Sequence, residues 1–244
     1  MKTFVKYLLF AVCVAAFICI SVLVLGEARN RRHLTTCTSV EISFRDSLGF
    51  VTENDIRSYL AKDCNTTTGT RIDSIRLDLI EKALNSRSAI KESQAWVGDD
   101  GVVHISIAQR EPVARMLTRG NAFYMDDRGD LFPVQGNCTK EVPVFEGDLP
   151  LDDPSWIPGI LKLLEYMKRH RLGGSVSCFE VLRSGELIMH PAEGGERFIF
   201  GKADKAAAKF ARINQYRKAI KPNVEEGYYS TVNVKYEGQI VCRK

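Results

Sequence analysis

Val102-Val103-His104-Ile105-Ser106-Ile107-Ala108, entered through the turn Gly98-Asp99-Asp100-Gly101, decides how the first half of this chain folds. Val103, Ile105 and Ile107 alternate with His104 and Ser106, the period-two pattern of a strand with one buried face. The Asp-Gly turn is a hairpin signal, so Ile90–Val97 reads as the preceding strand. Further back, Ile72, Ile75, Leu79 and Ala83, with Ile80 and Leu84, trace one helical stripe from near Asp73. A polar link, Asn65-Thr66-Thr67-Thr68-Gly69, separates it from an earlier helix. There Thr52-Glu53-Asn54-Asp55 offers an N-cap with an acid three places on, opening a helix that buries Ile56 and Leu60. Val40-Glu41-Ile42-Ser43-Phe44 alternates once more. The order strand, helix, helix, strand, strand closes as a small sheet with two helices on one face, an α+β arrangement. Pro112 cannot donate to a central ladder, so the chain leaves this sheet at Arg110-Glu111-Pro112 and the domain boundary falls there.

The second half reads as short strands between turn signals. Candidates are Ala114–Leu117, Ala122–Met125, Leu131–Val134, Pro143–Phe145, Cys178–Arg183, Glu186–His190 and Arg197–Phe200. Two helices interrupt them. Ile160, Leu163, Leu164 and Met167 form one stripe; Ala206, Phe210, Ile213 and Ile220 form another, ended by Pro222. The helix from Lys205 to Lys221 carries Lys205, Lys209, Arg212, Arg217 and Lys218 on its exposed side. A solvated face is the default reading of such a run, and a partner-facing or lipid-facing patch the sharper one. The chain closes as strand Tyr228–Tyr236, turn Glu237-Gly238 and strand Gln239–Lys244. A terminal strand is a candidate sheet edge, able to accept a strand from another protein or simply to pair within the fold.

Ahead of both parts lies an apolar run, Leu8 to Leu25, inside a stretch from Tyr7 to Gly26 without a charged residue. As a helix it spans roughly a 30 Å hydrocarbon core. It is longer than the 7–15-residue core given for signal peptides, which favours a retained anchor over cleavage near Gly26-Glu27-Ala28. Lys2 and Lys6 flank one end and Arg29, Arg31 and Arg32 the other, so flanking charge leaves the orientation open. The rest is ordinary globular usage, 45% hydrophobic and 26% charged, and a net charge of +4 is too mild to imply nucleic acid. Cys37, Cys64, Cys138, Cys178 and Cys242 are scattered without C-x-x-C spacing, against a zinc knuckle or disulfide scaffold. A Cys37–Cys64 pair and free buried thiols both remain open.

The residues of chemistry are sparse. His33, His104, His170 and His190 lack metal-binding spacing, and no metal or cofactor site is expected. Gly173-Gly174-Ser175-Val176-Ser177 departs from Gly-x-Ser-x-Gly and reads as the loop ending a helix. Asp99-Asp100, Asp126-Asp127 and Asp152-Asp153 sit in turns, where Asp serves local hydrogen bonding. Asn65-Thr66-Thr67 and Asn137-Cys138-Thr139 match the glycosylation pattern, which matters only in a eukaryotic secretory pathway. No enzyme activity is expected.

With these residues in place, the chain resembles the bacterial cell-division proteins FtsQ and DivIB, in their Bacteroidetes form. The stretch Gly101 to Ala114, through Gln109-Arg110-Glu111-Pro112-Val113-Ala114, resembles the end of the family's POTRA module. Tyr124-Met125-Asp126-Asp127-Arg128-Gly129 with Phe132-Pro133 resembles the entry to its β domain. Arg197-Phe198-Ile199-Phe200-Gly201 follows, and Tyr229 to Cys242 resembles its closing strand pair. The resemblance implies a cytoplasmic tail (1–7), a transmembrane helix (8–26), a juxtamembrane linker (27–37), a POTRA domain (38–110) and a β domain (111–244). It implies a single-pass type II protein of the inner membrane, its domains periplasmic, at the division septum and without catalytic activity or cofactor. The POTRA module would serve recruitment through other division proteins. The β domain would bind coiled-coil membrane partners of the FtsB and FtsL type and link them to septal peptidoglycan synthesis. Carried onto this chain, the partner contacts are Lys235, Tyr236, Gly238, Gln239, Ile240, Val241, Cys242 and Arg243, with Arg212 and Arg217 of the basic helix. Better-known proteobacterial members have an aromatic near the end of this strand, where this chain has Cys242-Arg243-Lys244. A membrane-anchored periplasmic protein with an unrecognised enzymatic or envelope-assembly role is the alternative.

Overall fold

The computed structural model describes residues 12–23, 36–63, 68–98, 100–134 and 140–244. Most of the flanks of the apolar run, the arginines after it, Cys64, Asp99 and the Asn137-Cys138-Thr139 sequon lie outside the described residues. Residues 12–23 are helical (α1), and among the described residues no helix is long and apolar enough to cross a membrane. The chain divides into two compact units, Met1–Gln109 and Arg110–Lys244.

In the first unit, β1 (Ser39–Phe44) is followed by α2 (Glu53–Asp63), α3 (Leu77–Asn85), β2 (Ile90–Val97) and β3 (Val102–Gln109). The sheet runs β1-β3-β2, with β1 parallel and β2 antiparallel to β3. Thr52 and Asp55 cap α2 reciprocally. The Asp55 N–H donates to Thr52 Oγ1 (3.3 Å), and the Thr52 N–H and hydroxyl donate to Asp55 Oδ2 (2.9 and 2.6 Å). These bonds hold the Asp55 carboxyl below its usual range. Ile56 and Leu60, with Ile80 and Leu84, are buried, as are Val103, Ile105 and Ile107 of β3. The stripe expected from Asp73 is corrected in one respect. Ile72–Ser74 forms only a 3-10 turn, the extended backbone at Ile75 breaks it, and α3 starts at Leu77. That restart sets the phase by Ile80 and Leu84, leaving Leu79 46% exposed.

The second unit is a nine-stranded mixed sheet covered by helices. Its strands are β4 (Pro112–Thr118), β5 (Asn121–Asp126), β6 (Leu131–Pro133), β7 (Val144–Gly147), β8 (Val176–Val181), β9 (Leu187–Pro191), β10 (Arg197–Gly201), β11 (Thr231–Asn233) and β12 (Val241–Arg243). The order is β12-β11-β10-β9-β8-β7-β4-β5-β6. Two helices, α4 (Trp156–Arg169) and α5 (Ala206–Gln215), join its core. Strand side chains Phe145, Phe179, Phe198 and Phe200 are fully buried. Phe145 stacks on Phe179 at 4.9 Å, Phe179 meets Phe200 edge-on at 6.0 Å, and Phe200 meets Phe210 of α5 at 5.4 Å. Such ring pairs add about 0.5–1.5 kcal/mol each beyond their burial. The expected helix from Lys205 to Lys221 is shorter as an α-helix: it turns π-helical over Tyr216–Ile220, with Tyr216 in the core, and the helical run closes with a 3-10 turn over Lys221–Asn223 that contains Pro222.

One buried ion pair ties the start of this unit. Arg110 Nη1 donates to Asp126 Oδ2 (2.6 Å) and to Asp130 Oδ2 (2.7 Å), and Asp126 Oδ1 accepts the N–H groups of Arg128 and Asp130, both at 2.9 Å. Asp126 is 1% exposed, whereas the Asp130 side chain is 57% exposed. Removing one member of a buried pair strands the other charge, while an exposed pair contributes little. Asp126→Ala is therefore expected to cost about 3 kcal/mol in urea unfolding, and Asp130→Ala less than about 1 kcal/mol.

Candidate functional site

The C-terminal residues form the end of the nine-stranded sheet. Among the described residues β12 pairs only with β11, antiparallel, with Asn233 opposite Val241, Val232 opposite Cys242 and Thr231 opposite Arg243. β11 is parallel to β10. Both closing strands are shorter than the alternation suggested. The Asn233 side chain accepts the N–H of Lys235 (3.0 Å), a local turn that ends β11, and the chain rejoins the ladder only at Val241. Gly238, in the turn between them, takes a φ of 73°, which favours glycine.

Alternation along β12 sorts the expected contact residues into two sets. Ile240 and Cys242 pack against the core, and burial pushes the Cys242 thiol up. Val241 is 39% exposed, and Gln239 and Arg243 are exposed as well. The turn is braced from both sides. Lys205, at the entry to α5, pairs with Glu237, and Lys235 pairs with Glu186 in the turn between β8 and β9. Tyr236 is half exposed, with the Lys235 amine 5.6 Å from its ring. Glu237 and Glu186 escaped the sequence reading, because only the register brings them to these lysines.

The basic helix is less uniformly exposed than its sequence suggests. Lys209 is a correction: it is 2% exposed, with Nζ donating to the Lys202 carbonyl and to Asp204 Oδ1, both at 2.7 Å. It lies 5.0 Å from the Phe200 ring, so its charge locks the loop before α5 instead of facing outward. Arg212 is half buried. Its Nε donates to the Val234 carbonyl (2.9 Å), tying α5 to the end of β11, and its Nη2 is buried with no acceptor among the described residues. Arg217 lies on the π-helical turn, 6.0 Å from the Phe198 ring. The structure therefore brings Arg212 to the β11 end of the turn and places Arg217 further along the helical run.

The other candidates for chemistry are engaged locally. The Ser175 hydroxyl donates to the Leu172 carbonyl (2.7 Å), so it is a turn residue. Asp153 accepts from the Ser155 N–H and hydroxyl, which hold its carboxyl below the usual range. On the sheet, Cys178 lies opposite His190, and His190 Nε2 is 3.3 Å from Glu180 Oε2. Burial and the neighbouring Glu146 push the Cys178 thiol up to about 11, the opposite of what a nucleophile needs. Among the described residues no group of three or more His, Cys, Asp or Glu side chains is placed to hold a metal ion.

This geometry is matched by family resemblance along the chain. Residues 111–243 match the family described as FtsQ/DivIB, C-terminal related, and residues 35–108 match the POTRA-like domain. The chain belongs to the FtsQ/DivIB-related family. No curated protein matches it. Membership points to a division-related role at the cell envelope, in a family that is typically non-catalytic.

The raised Cys178 pKa has a direct chemical consequence. At pH 8 only about one Cys178 thiol in a thousand is ionised. Its alkylation by iodoacetamide, followed by mass spectrometry of the folded protein, is expected to stay slow through pH 8 and to accelerate toward pH 11.

Proposed function

We propose that this protein is a non-catalytic, single-pass scaffold of the division machinery that accepts a partner strand at β12. The observation that carries this is the position of β12. It ends the sheet, and no described strand pairs with its outer side. Unpaired main-chain groups at an edge give generic affinity for an added strand, while alternate side chains choose which strand. Here the outward set is Gln239, Val241 and Arg243. They offer one apolar contact and one cation, and the positive end of the chain favours an acidic partner segment. The opposite edge, β6, ends in Pro133, which has no N–H to give.

The partners of this reading are small coiled-coil membrane proteins of the FtsB and FtsL type, with the POTRA-like unit engaging other division components. The apolar run Leu8–Leu25 supplies the anchor, with the N-terminus cytoplasmic and both units periplasmic. Co-anchoring in one membrane raises effective concentration, so a short interface of three β12 residues and the adjoining turn suffices.

Cys242→Pro is the sharpest test, because Val241 and Arg243 turn their main-chain groups to β11, alternation turns the Cys242 N–H away from it, and proline is tolerated on an edge strand whose N–H faces solvent. The full chain carrying it is expected to keep its melting temperature within a few degrees and to bind an FtsB-type partner at least about tenfold more weakly. A folded Cys242→Pro variant with unchanged affinity would sink the edge-strand mechanism. Arg243→Glu is expected to weaken the same binding without touching the core.

A further inference from the structure

The two edges of the POTRA-like sheet are treated in opposite ways. β2 is sealed by side chains of α3. The Ser93 N–H donates to Asn85 Oδ1 (2.7 Å), and the Ala95 N–H donates to Glu81 Oε1 (2.8 Å). Two successive outward donors are thus consumed inside the unit, and an incoming strand would have to displace these part-buried bonds to pair there. β1 has no such cover. Arg45 donates its N–H to the Ile107 carbonyl (2.8 Å), and residues alternate along a strand, so Val40 and Ile42 turn their main-chain groups away from β3. The Val40 carbonyl accepts from Arg57 Nη2 (3.2 Å). Ile42 has no outward partner among the described residues.

A groove of about 270 Å³ lies along this open edge. It is smaller than the roughly 300–1,000 Å³ of small-molecule sites, and so suits one or two side chains of an extended peptide. Glu53 and Arg57, an ion pair at 2.6 Å, line its helix side. On the other face Trp96 stacks on His104 (5.3 Å between centroids, 15° between planes), and His104 Nδ1 lies 3.3 Å from Glu41 Oε2. Trp96 is 47% exposed, and on the other side of His104 the Glu41 side chain is 66% exposed. With Arg57 matched by Glu53, the remaining carboxylate of the groove is Glu41, which is paired with the His104 imidazole.

We propose that the β1 edge of the POTRA-like unit is a docking site for an extended segment of a partner protein that carries a lysine or arginine. The segment pairs with Ile42, and its cation reaches Glu41, with Trp96 lining the same groove beyond His104. An aromatic face and a carboxylate together select a cation, whereas either alone is unselective. This surface is independent of the C-terminal edge, and either can fail without the other.

The test uses the full chain in detergent and a fluorescently labelled short peptide of alternating valine and lysine, read by anisotropy. Saturable binding is expected, weakened about tenfold or more by Glu41→Lys and by Trp96→Ala, both exposed changes that leave the core intact. Ile42→Pro is expected to abolish it, and Cys242→Pro to leave it unchanged. A peptide with glutamate for lysine, or one N-methylated along one edge, should not bind. Equal binding of the N-methylated peptide overturns strand pairing, and indifference to Glu41→Lys and Trp96→Ala overturns the site. Light scattering that shows a dimer dissociated by Glu41→Lys assigns the edge to a second copy of this chain and overturns the partner reading.

Discussion

Main-chain donors and acceptors on the outer side of an edge strand must meet water, a side chain or another strand, and this chain answers that demand differently at each edge. At β2 the side chains of Asn85 and Glu81 take the donors. At β6 the strand stops at Pro133. At β1 a single arginine covers one carbonyl, and at β12 no described strand pairs with the outer side. Since exposed edges invite unwanted pairing, leaving one open carries a hazard that sealing removes. β12 limits that hazard by being three residues long and ending in Arg243, with Lys244 next in sequence.

The rigidity behind β12 comes from apolar packing. Val232 of the neighbouring strand and Val234 beyond it are fully buried, and the phenylalanines of β7, β8 and β10 continue that core across the sheet. Polar braces then fix the turn that β12 hangs from. Arg212 holds the Val234 carbonyl, Lys235 holds Glu186, and Lys205 holds Glu237. The exposed pair Lys205–Glu237 contributes little stability by itself. Its consequence is positional, because it draws α5 and the β11–β12 turn together next to the open edge.

Much of this was legible in the sequence where the cause is local. The alternation of Val103, Ile105 and Ile107 and the Thr52–Asp55 cap depend on neighbours a few residues away, and both were read correctly. The α+β order of the first half followed from them. What depended on distant partners was not legible. Nothing in the pattern of Val144–Gly147 says that it enters between β4 and β8 with parallel neighbours on both sides. Lys209 was placed on the exposed face because helical phase alone cannot foresee the Lys202 carbonyl and Asp204 waiting for it. Asn233 looked like one more strand residue until its side chain closed a turn on Lys235. The contact residues near the C-terminus came from family resemblance, and the sheet order then supplied the physical feature that makes them candidates.

Amide hydrogen exchange on the full chain, with and without an FtsB-type partner, tests the edge most directly, because it reads the main-chain groups themselves. Protection appearing on binding at Cys242 and Lys244, whose N–H groups alternation turns away from β11, with Phe132 of β6 unchanged, is the result expected from strand addition. Tight binding that leaves those amides exchanging as they do in the free protein would contradict it.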